Sequence, residues 1–172
     1  MRTAVLTSLL DSSATECQHK TNGAGQAPKQ PAEKGSPMPL VRIDLNEGRS
    51  PEQVRGIADA IHDAIVTEYA IPDRDRFQII TEHMSGQIIA QDAGLGFERS
   101  DCVVMIQIFT QAGRTDAAKQ SLYAAIAERL SAIGVAGNDI FLGYVENGPQ
   151  DWTFGFGRAQ YLTGELGVPE AS

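Results

Sequence analysis

The sequence predicts an α+β fold, in which a duplicated β-α-β unit forms a four-stranded mixed sheet with two helices on one face. Two observations support this prediction. A strand-helix-strand pattern runs from residue 40 to residue 81, and a second one follows it. Gly48-Arg49-Ser50 in the first unit matches Gly113-Arg114-Thr115 in the second, an offset of 113 − 48 = 65 residues. A fixed offset between two similar units indicates an internal duplication.

The first unit begins with an alternation of apolar and polar residues from Leu40 to Asn46, which predicts a strand with one buried face. Ser50-Pro51-Glu52-Gln53 predicts a helix start, because Ser50 can cap the helix and Gln53 can complete a capping box. An apolar stripe at helical spacing follows: Val54, Ile57, Ala58, Ile61 and Ile65. Arg76–Thr81 is predicted to be the second strand, and Gln87–Ala90 a short extra strand.

The second unit repeats this pattern. With the offset of 65, strand, helix and strand positions correspond pairwise: Val41 and Ile43 to Ile106 and Ile108; Ile57, Ala60, Ile61 and Ile65 to Leu122, Ala125, Ile126 and Leu130; Phe77 and Ile80 to Leu142 and Val145. The predicted strand Cys102–Phe109 also has a second apolar face, formed by Val103, Met105 and Phe109. Since both helices cover the first face, we expect another copy of the chain to cover the second.

Composition divides the 172 residues into two parts. Residues 1–38 are polar and of low complexity, so we expect a disordered or artefactual tail, and residues 39–172 are expected to form the domain. The chain carries a net charge of −8 and the tail contributes +1, which leaves −9 for the domain. A negative domain speaks against nucleic acid or an anionic membrane as partner. No apolar run approaches the roughly 18 residues of a membrane span.

Cys17 and Cys102 are the two cysteines, and they form no disulfide framework. Such sparse usage is typical of a reducing compartment, so we expect a cytoplasmic protein. Cys102 is expected to be a small core residue. His62 shares a predicted helix face with Arg55 and Asp59, and is expected to be solvated.

Pro39 lies at the boundary between the tail and the domain, directly after Met38. If the mature chain begins at Pro39, its nitrogen is a secondary amine that can exchange protons near neutral pH. If residues precede it, the nitrogen is an amide and cannot. The alternative interpretation is that Pro39 only starts a strand.

Three further features could carry chemistry. Asp75 directly precedes a predicted strand, although it could also be a solvated loop carboxylate. Arg114 lies at the start of the second helix, where a cation opposes the helix dipole. The segment Asp151–Tyr161 is rich in aromatic residues and glycine and could form a pocket wall, a hydrophobic plug or a subunit contact. No Ser/His/Asp order, phosphate loop, dinucleotide motif or metal-ligand spacing is visible.

Together these features resemble the tautomerase superfamily. The sequence is similar to its malonate semialdehyde decarboxylase branch from Pro39 to about Leu166, in six stretches: Val41–Ser50, Asp75–Gln78, Gly94–Gly96, Val145–Asn147, Asp151–Gly155 and Leu162–Leu166. The resemblance implies a homotrimer, no cofactor and a small carboxylate substrate.

The same resemblance assigns roles to individual residues. It implies that Pro39 gives or takes the proton, that Asp75 orients or activates a substrate group or water, and that Arg114 binds the substrate carboxylate. It also implies a hydrophobic pocket lined by Trp152, Phe154, Tyr161 and Leu166. Where the decarboxylase pattern has two arginines flanking a proline, this chain reads Thr110-Gln111-Ala112-Gly113-Arg114. One arginine remains, and Gln111 can hydrogen-bond a carboxylate but carries no charge.

A single guanidinium favours tautomerase chemistry, the keto–enol isomerisation of a small 2-oxo acid with Pro39 as general acid or base. Decarboxylation or hydration of a 3-oxo acid is the alternative enzymatic hypothesis. A third hypothesis is a non-catalytic trimeric binding protein whose Pro39 is blocked by residues 1–38. The protonation state of Pro39 separates the two reactions, since burial and Arg114 lower the pKa of its amine while Asp75 raises it.

Overall fold

The computed structural model describes residues 38–167, and the prediction of a tail over residues 1–38 lies almost entirely outside them. Six main elements follow one another: β1 (Leu40–Asn46), α1 (Pro51–Tyr69), β2 (Phe77–His83), β3 (Val104–Gln111), α2 (Asp116–Ala132) and β4 (Ile140–Asn147). The strands form one sheet in the order β2-β1-β3-β4. β1 and β2 are parallel, β3 and β4 are parallel, and the central pair β1 and β3 is antiparallel. The predicted α+β fold with a mixed sheet is confirmed.

Both helices begin as the repeated sequence predicts. Ser50 caps α1, where its hydroxyl accepts a hydrogen bond from the backbone N–H of Gln53, and the Gln53 side chain accepts one from the Ser50 N–H at 2.8 Å. Thr115, the matching residue, caps α2 and accepts from the N–H of Ala118 at 3.2 Å. These caps satisfy N–H groups that have no partner within the helix, so both helix starts are determined locally.

The hydrophobic core lies between the helices and one face of the sheet. Five pairs of buried residues come from matching positions of the two units: Val41, Ile43, Ile57, Ile61 and Ile65 in the first, and Ile106, Ile108, Leu122, Ile126 and Leu130 in the second. The apolar positions at strand spacing and those at helical spacing therefore all lie in the layer between the sheet and the helices. Neither α1 nor α2 is long and apolar enough to cross a bilayer, and the structure describes no other candidate span between residues 38 and 167.

The two units match with an offset of 65 residues in their first strand and in their helix, but not in their second strand. Leu40 pairs with Phe77, and the matching Met105 pairs with Phe141, so Phe77 corresponds to Phe141. The offset there is 141 − 77 = 64, one residue less than predicted. The predicted matches of Phe77 with Leu142 and of Ile80 with Val145 are therefore wrong. A shift of one residue moves a strand residue to the opposite face of the sheet, which is why register decides this point.

The second face of the sheet carries no helix within the described residues. Phe77, Ile79, Phe141 and Val145 lie on it with 45%, 50%, 45% and 42% of their surface exposed. Met105 and Phe109 are half-buried between them on the central strand β3. The predicted apolar second face is confirmed for these two residues. Val103 was wrongly placed there, because it precedes β3 and is 2% exposed.

Several local predictions differ from the structure. β2 and β3 both begin and end later than predicted, and Gln87–Ala90 forms no strand, because the Gln87 N–H closes a turn onto the Met84 carbonyl instead. Cys102 is exposed, since it lies in the turn before β3 rather than in the strand. His62 is buried, because the chain after α1 folds back over it and the Asp73 carbonyl oxygen lies 2.9 Å from His62 Nε2.

The core packing generates a stability prediction. Ile126 is fully buried, and we expect Ile126→Ala to lower the free energy of unfolding by about 2–5 kcal/mol, through lost apolar burial and the cavity that remains. Ile133, at the end of α2, is 49% exposed, so Ile133→Ala should cost less than about 1 kcal/mol. Chemical denaturation at one fixed protein concentration measures both. Equal losses for the two variants would contradict the proposed core.

Candidate active site

Four strand ends meet at one edge of the sheet. β1 and β2 begin there, and β3 and β4 end there, because the two outer pairs are parallel and the central pair is antiparallel. Leu40 pairs with Phe77 on one side and with Phe109 on the other. Pro39 directly precedes Leu40 and is buried. It therefore lies between the start of β2, which follows Asp75, and the end of β3 at Gln111.

Tyr161 connects the C-terminal segment to this edge. Its hydroxyl accepts a hydrogen bond from the Met38 backbone N–H at 3.3 Å, and the side chain is only 4% exposed. Burial raises the pKa of the Tyr161 phenol, and the nearby Asp75 carboxylate raises it further. The Met38 N–H and the Gln111 side chain act in the opposite direction. Tyr161 was predicted as a pocket wall, and the structure adds a neutral hydroxyl beside Pro39.

Asp75 lies in the loop between α1 and β2. Its backbone N–H donates to the Pro72 carbonyl at 2.9 Å, which closes the turn that brings the side chain to the edge. Burial raises the pKa of the Asp75 carboxyl above its ordinary value, and His62 partly opposes this effect. A half-buried carboxylate with a raised pKa is a candidate for proton exchange.

Gln111 is the last residue of β3 and is 3% exposed. Its side chain approaches the Tyr161 phenol closely enough to oppose the rise in that pKa, but no acceptor among residues 38–167 lies within full hydrogen-bond distance of the buried Nε2. An unsatisfied buried donor costs on the order of 1–3 kcal/mol. A ligand oxygen that accepts from Gln111 Nε2 would recover this energy.

Arg114 lies between the end of β3 and the cap of α2. Its guanidinium carbon is 4.3 Å from the centre of the Tyr69 ring. Burial raises the pKa of both the Tyr69 and the Tyr144 phenol, and the positive charge of Arg114 partly opposes this rise. Two other arginines bind carboxylates of this chain. Arg76 contacts Asp59 at 2.5 Å, and Arg158 contacts Glu165 at 3.1 Å. The charges of Arg76 and Arg158 are therefore compensated by carboxylates of this chain.

An aromatic cluster closes the edge from the C-terminal side. The Trp152 and Phe154 rings stack in parallel at 5.8 Å, and Phe154 meets Tyr161 edge-on at 5.4 Å. Phe77, the first residue of β2, joins them 6.0 Å from Phe154. The predicted wall of Trp152, Phe154 and Tyr161 is therefore brought together. Phe77 was not predicted to belong to it, although its position at the start of a strand beside Pro39 was a usable signal.

Polar contacts hold this cluster in shape. The Trp152 indole N–H donates to the Asn147 side chain at 2.6 Å. Gln160 is buried and binds the Phe154 segment twice, accepting from the Phe154 N–H and donating to the Gly155 carbonyl, both at 2.9 Å. The Leu166 backbone N–H donates to the Gln160 carbonyl at 3.1 Å, and Leu166 is half-buried. Sequence reasoning missed Gln160, since glutamines that bind a backbone turn have no periodic signature.

The edge thus combines a buried proline, a carboxylate, a guanidinium, a neutral phenol and an apolar wall. Such a set can bind a small carboxylate and move a proton within an enclosed site. Within residues 38–167, no three His, Cys, Asp or Glu side chains lie close enough together to hold a metal ion.

Comparison with known proteins gives the family. Two models of tautomerase enzymes match residues 39–98 and 75–155. The probable tautomerase YrdN of Bacillus subtilis (strain 168) is 42% identical over 130 residues, which are 75% of this chain and 100% of YrdN. This chain belongs to the tautomerase superfamily. A second relative from the same organism, the probable tautomerase YusQ, is 34% identical over 73% of this chain and 99% of its own length.

Solved structures identify the branch. The FG41 malonate semialdehyde decarboxylase, inhibited by 3-bromopropiolate, is 62% identical over 76% of this chain and 99% of its own, with a TM-score of 0.74. A second malonate semialdehyde decarboxylase, solved to explain decarboxylase and hydratase activities, is 35% identical over 74% and 98%, with a TM-score of 0.70. The chain lies in this branch of the superfamily. A fused 4-OT that forms a symmetric trimer is 21% identical over 73% and 98%, with a TM-score of 0.61, and shares the fold.

Proposed function

We propose that this protein is an amino-terminal-proline enzyme that acts on small oxo acids without a cofactor, and that its main reaction is decarboxylation of a 3-oxo acid such as malonate semialdehyde. Keto–enol tautomerisation of a 2-oxo acid is the second candidate reaction of the same site. The observation that carries the proposal is the meeting of Pro39, Asp75, Gln111 and Tyr161 at one sheet edge.

Pro39 is the proposed acid or base. A free α-amine has a pKa of roughly 8, so a terminal Pro39 could exchange protons near neutral pH. Burial lowers the pKa of such an amine, while the carboxylate of Asp75 raises it. In the chain that includes residues 1–38, the Pro39 nitrogen is part of a peptide bond, and the Met38 N–H occupies the Tyr161 hydroxyl. This contact supports the alternative of a blocked binding protein for the uncleaved chain.

Arg114 and Gln111 are the proposed carboxylate ligands. Arg114 supplies the positive charge, and the unsatisfied Gln111 Nε2 supplies a hydrogen-bond donor. Trp152, Phe154 and Leu166 are the proposed apolar lining, which excludes water and strengthens these polar contacts. Asp75 is proposed to orient the substrate or a water beside Pro39.

In the proposed decarboxylation, a protonated Pro39 hydrogen-bonds the carbonyl oxygen of the 3-oxo acid. The bond between the carboxylate carbon and its neighbour breaks, its electrons form the carbon–carbon double bond of an enol as the Pro39 proton passes to the carbonyl oxygen, and carbon dioxide leaves. The enol then takes up a proton from water at carbon and returns its hydroxyl proton to Pro39, which gives the aldehyde. The 62% identity to a malonate semialdehyde decarboxylase supports this reaction. It outweighs the single guanidinium, which favoured tautomerisation when only the sequence was considered.

In the proposed tautomerisation, a neutral Pro39 accepts a proton from one position of the substrate and returns it at another. The aromatic cluster of Trp152, Phe154 and Tyr161 would suit an aryl 2-oxo acid such as phenylpyruvate. The two relatives named as probable tautomerases support this second candidate.

The protein is also proposed to form a homotrimer. The uncovered sheet face carries Phe77, Ile79, Phe141 and Val145, and burying such a face is strongly favourable. A trimeric assembly is the state of a fused 4-OT with the same fold, which supports the number three.

Activity should require a free amino group on Pro39. A protease site placed directly before Pro39 allows one preparation to be assayed before and after cleavage, with mass spectrometry to confirm each form. We expect cleavage to raise kcat/KM about 100-fold or more, because general acid–base catalysis contributes on that order. Equal activity before and after complete cleavage would exclude the amine mechanism.

Arg114→Ala should lower kcat/KM on carboxylate substrates at least tenfold while the protein stays folded. The reason is the loss of a buried guanidinium–carboxylate contact, which contributes about 2–5 kcal/mol. Arg158→Ala is the matched control, since Arg158 is bound to Glu165, and it should retain activity within about twofold. If the two variants behave alike, Arg114 is not the carboxylate ligand.

Decarboxylation of malonate semialdehyde should exceed tautomerisation of phenylpyruvate in kcat/KM. Both are measured on the Pro39-initiated protein, as carbon dioxide release and as enol-to-keto conversion. The reverse order would restore the ranking that the sequence alone favoured, and it would assign the aromatic cluster to an aryl substrate.

Sedimentation equilibrium at micromolar concentration should give three times the mass of the chain. Phe141→Lys should dissociate the assembly, because it places a charge on the apolar face. Phe156→Lys is the control, since Phe156 is 94% exposed and outside the sheet. A stable monomer for the unmodified protein would refute the proposal.

A further inference from the structure

Arg114 rests against an aromatic ring that the proposed mechanism does not use. Its guanidinium carbon is 4.3 Å from the centre of the Tyr69 ring. A guanidinium that lies over a ring face is attracted by the ring quadrupole. Such a contact uses the flat face of the guanidinium, while its N–H groups point outward from the edge, as carboxylate binding requires.

Tyr69 is itself held firmly in place. It is the last residue of α1, is 5% exposed, and its hydroxyl donates to the Tyr144 hydroxyl at 3.1 Å. Tyr144 lies on β4 and meets the edge of the Tyr123 ring at 6.4 Å. The Lys119 ammonium lies 5.2 Å from the Tyr144 ring centre and binds Glu146 at 2.9 Å. Two helices and a strand therefore fix the ring that contacts Arg114.

The two tyrosines near Arg114 are compatible with an anion site, because neither of them is charged. Burial raises the pKa of both the Tyr69 and the Tyr144 phenol, so both hydroxyls stay neutral at physiological pH. Neither phenol therefore becomes an anion that could compete with a bound carboxylate for Arg114. An aromatic ring restricts a guanidinium without adding a negative charge beside it.

The duplication provides an internal comparison. Arg49 corresponds to Arg114 in the first unit, and its guanidinium donates to the Cys102 backbone carbonyl at 2.5 Å. The left-handed residues that follow the two helices are Ala70 and Gly134, an offset of 134 − 70 = 64, so Tyr69 corresponds to Ile133. Ile133 has no aromatic ring and could not hold Arg49 through a ring face. The two halves thus differ at the position that contacts the arginine, and the ring is present at the edge that contains Pro39.

We propose that Tyr69 is a positioning residue, which holds Arg114 through its ring face while the packing around the buried ring keeps it in place. This inference rests on the proposed function, since it assumes that Arg114 binds the substrate carboxylate. Tyr69 then sets the preference for carboxylate over neutral ligands without touching the substrate.

The test compares binding of phenylacetate with binding of phenylacetamide, which has nearly the same shape but no charge. Isothermal titration calorimetry on the Pro39-initiated protein is used, so the result does not depend on which reaction the enzyme performs. Tyr69→Leu and Tyr69→Met remove the ring, and Tyr69→Phe keeps it. We expect the first two to weaken phenylacetate binding about fivefold and leave phenylacetamide within twofold. Tyr69→Phe should stay within twofold for both ligands.

Arg114→Ala separates this inference from the proposed function. It should weaken phenylacetate binding at least tenfold, and Arg114→Ala combined with Tyr69→Leu should be no weaker than Arg114→Ala alone. If Arg114→Ala leaves the affinity unchanged, Arg114 is not the anion ligand and the proposed function loses that residue. If Arg114→Ala weakens binding but neither ring-free variant does, the positioning role alone is wrong. Equal loss of both ligands, together with a lower Tm, would show a purely structural role for Tyr69 and also overturn it.

Discussion

The antiparallel pairing of β1 with β3 is the constraint on which the rest of this structure depends. It sets Leu40 opposite Phe109, so the first residue of the domain lies beside the last residues of the central strand. Each of these strands pairs in parallel with its own second strand, and one edge of the sheet therefore collects two strand starts and two strand ends. Residues that are far apart in the chain, such as Pro39, Asp75 and Gln111, meet there for this reason. Without the central pairing, each β-α-β unit would hold only part of the site.

The same pairing divides the sheet into two unequal faces. One face packs against both helices and forms the core, in which matching positions of the two units are buried. The other face exposes large apolar side chains, including Phe77 and Phe141. Phe77 also belongs to the aromatic cluster through Phe154. The uncovered face and the candidate site therefore share a residue, so that a change in how the face is covered would act on the pocket wall.

The two halves of the duplication differ at the candidate site and are alike in their helix caps and buried positions. The helix caps Ser50 and Thr115 and the buried helix positions correspond closely, since both halves meet the same geometric demands. Arg49 and Arg114 also correspond, yet one binds a backbone carbonyl and the other lies over Tyr69. Helix caps and buried apolar positions are enough to keep the fold of each duplicated unit. The other positions can therefore change and form a site at one edge of the sheet.

The sequence by itself determined the secondary structure and the duplication, because helix caps and apolar periodicity act over a few residues. β1 was predicted with its observed bounds, and Ser50 and Gln53 form the predicted capping box. The resemblance of the sequence to a family also pointed to Pro39, Asp75, Arg114 and the aromatic segment. Tertiary structure alone decided the register of β2 on β1 and of β4 on β3, the burial of His62 and the exposure of Cys102. It also decided the contact of Arg114 with Tyr69. These outcomes depend on which distant segments pack together, and the spacing of residues along the chain does not predict such contacts.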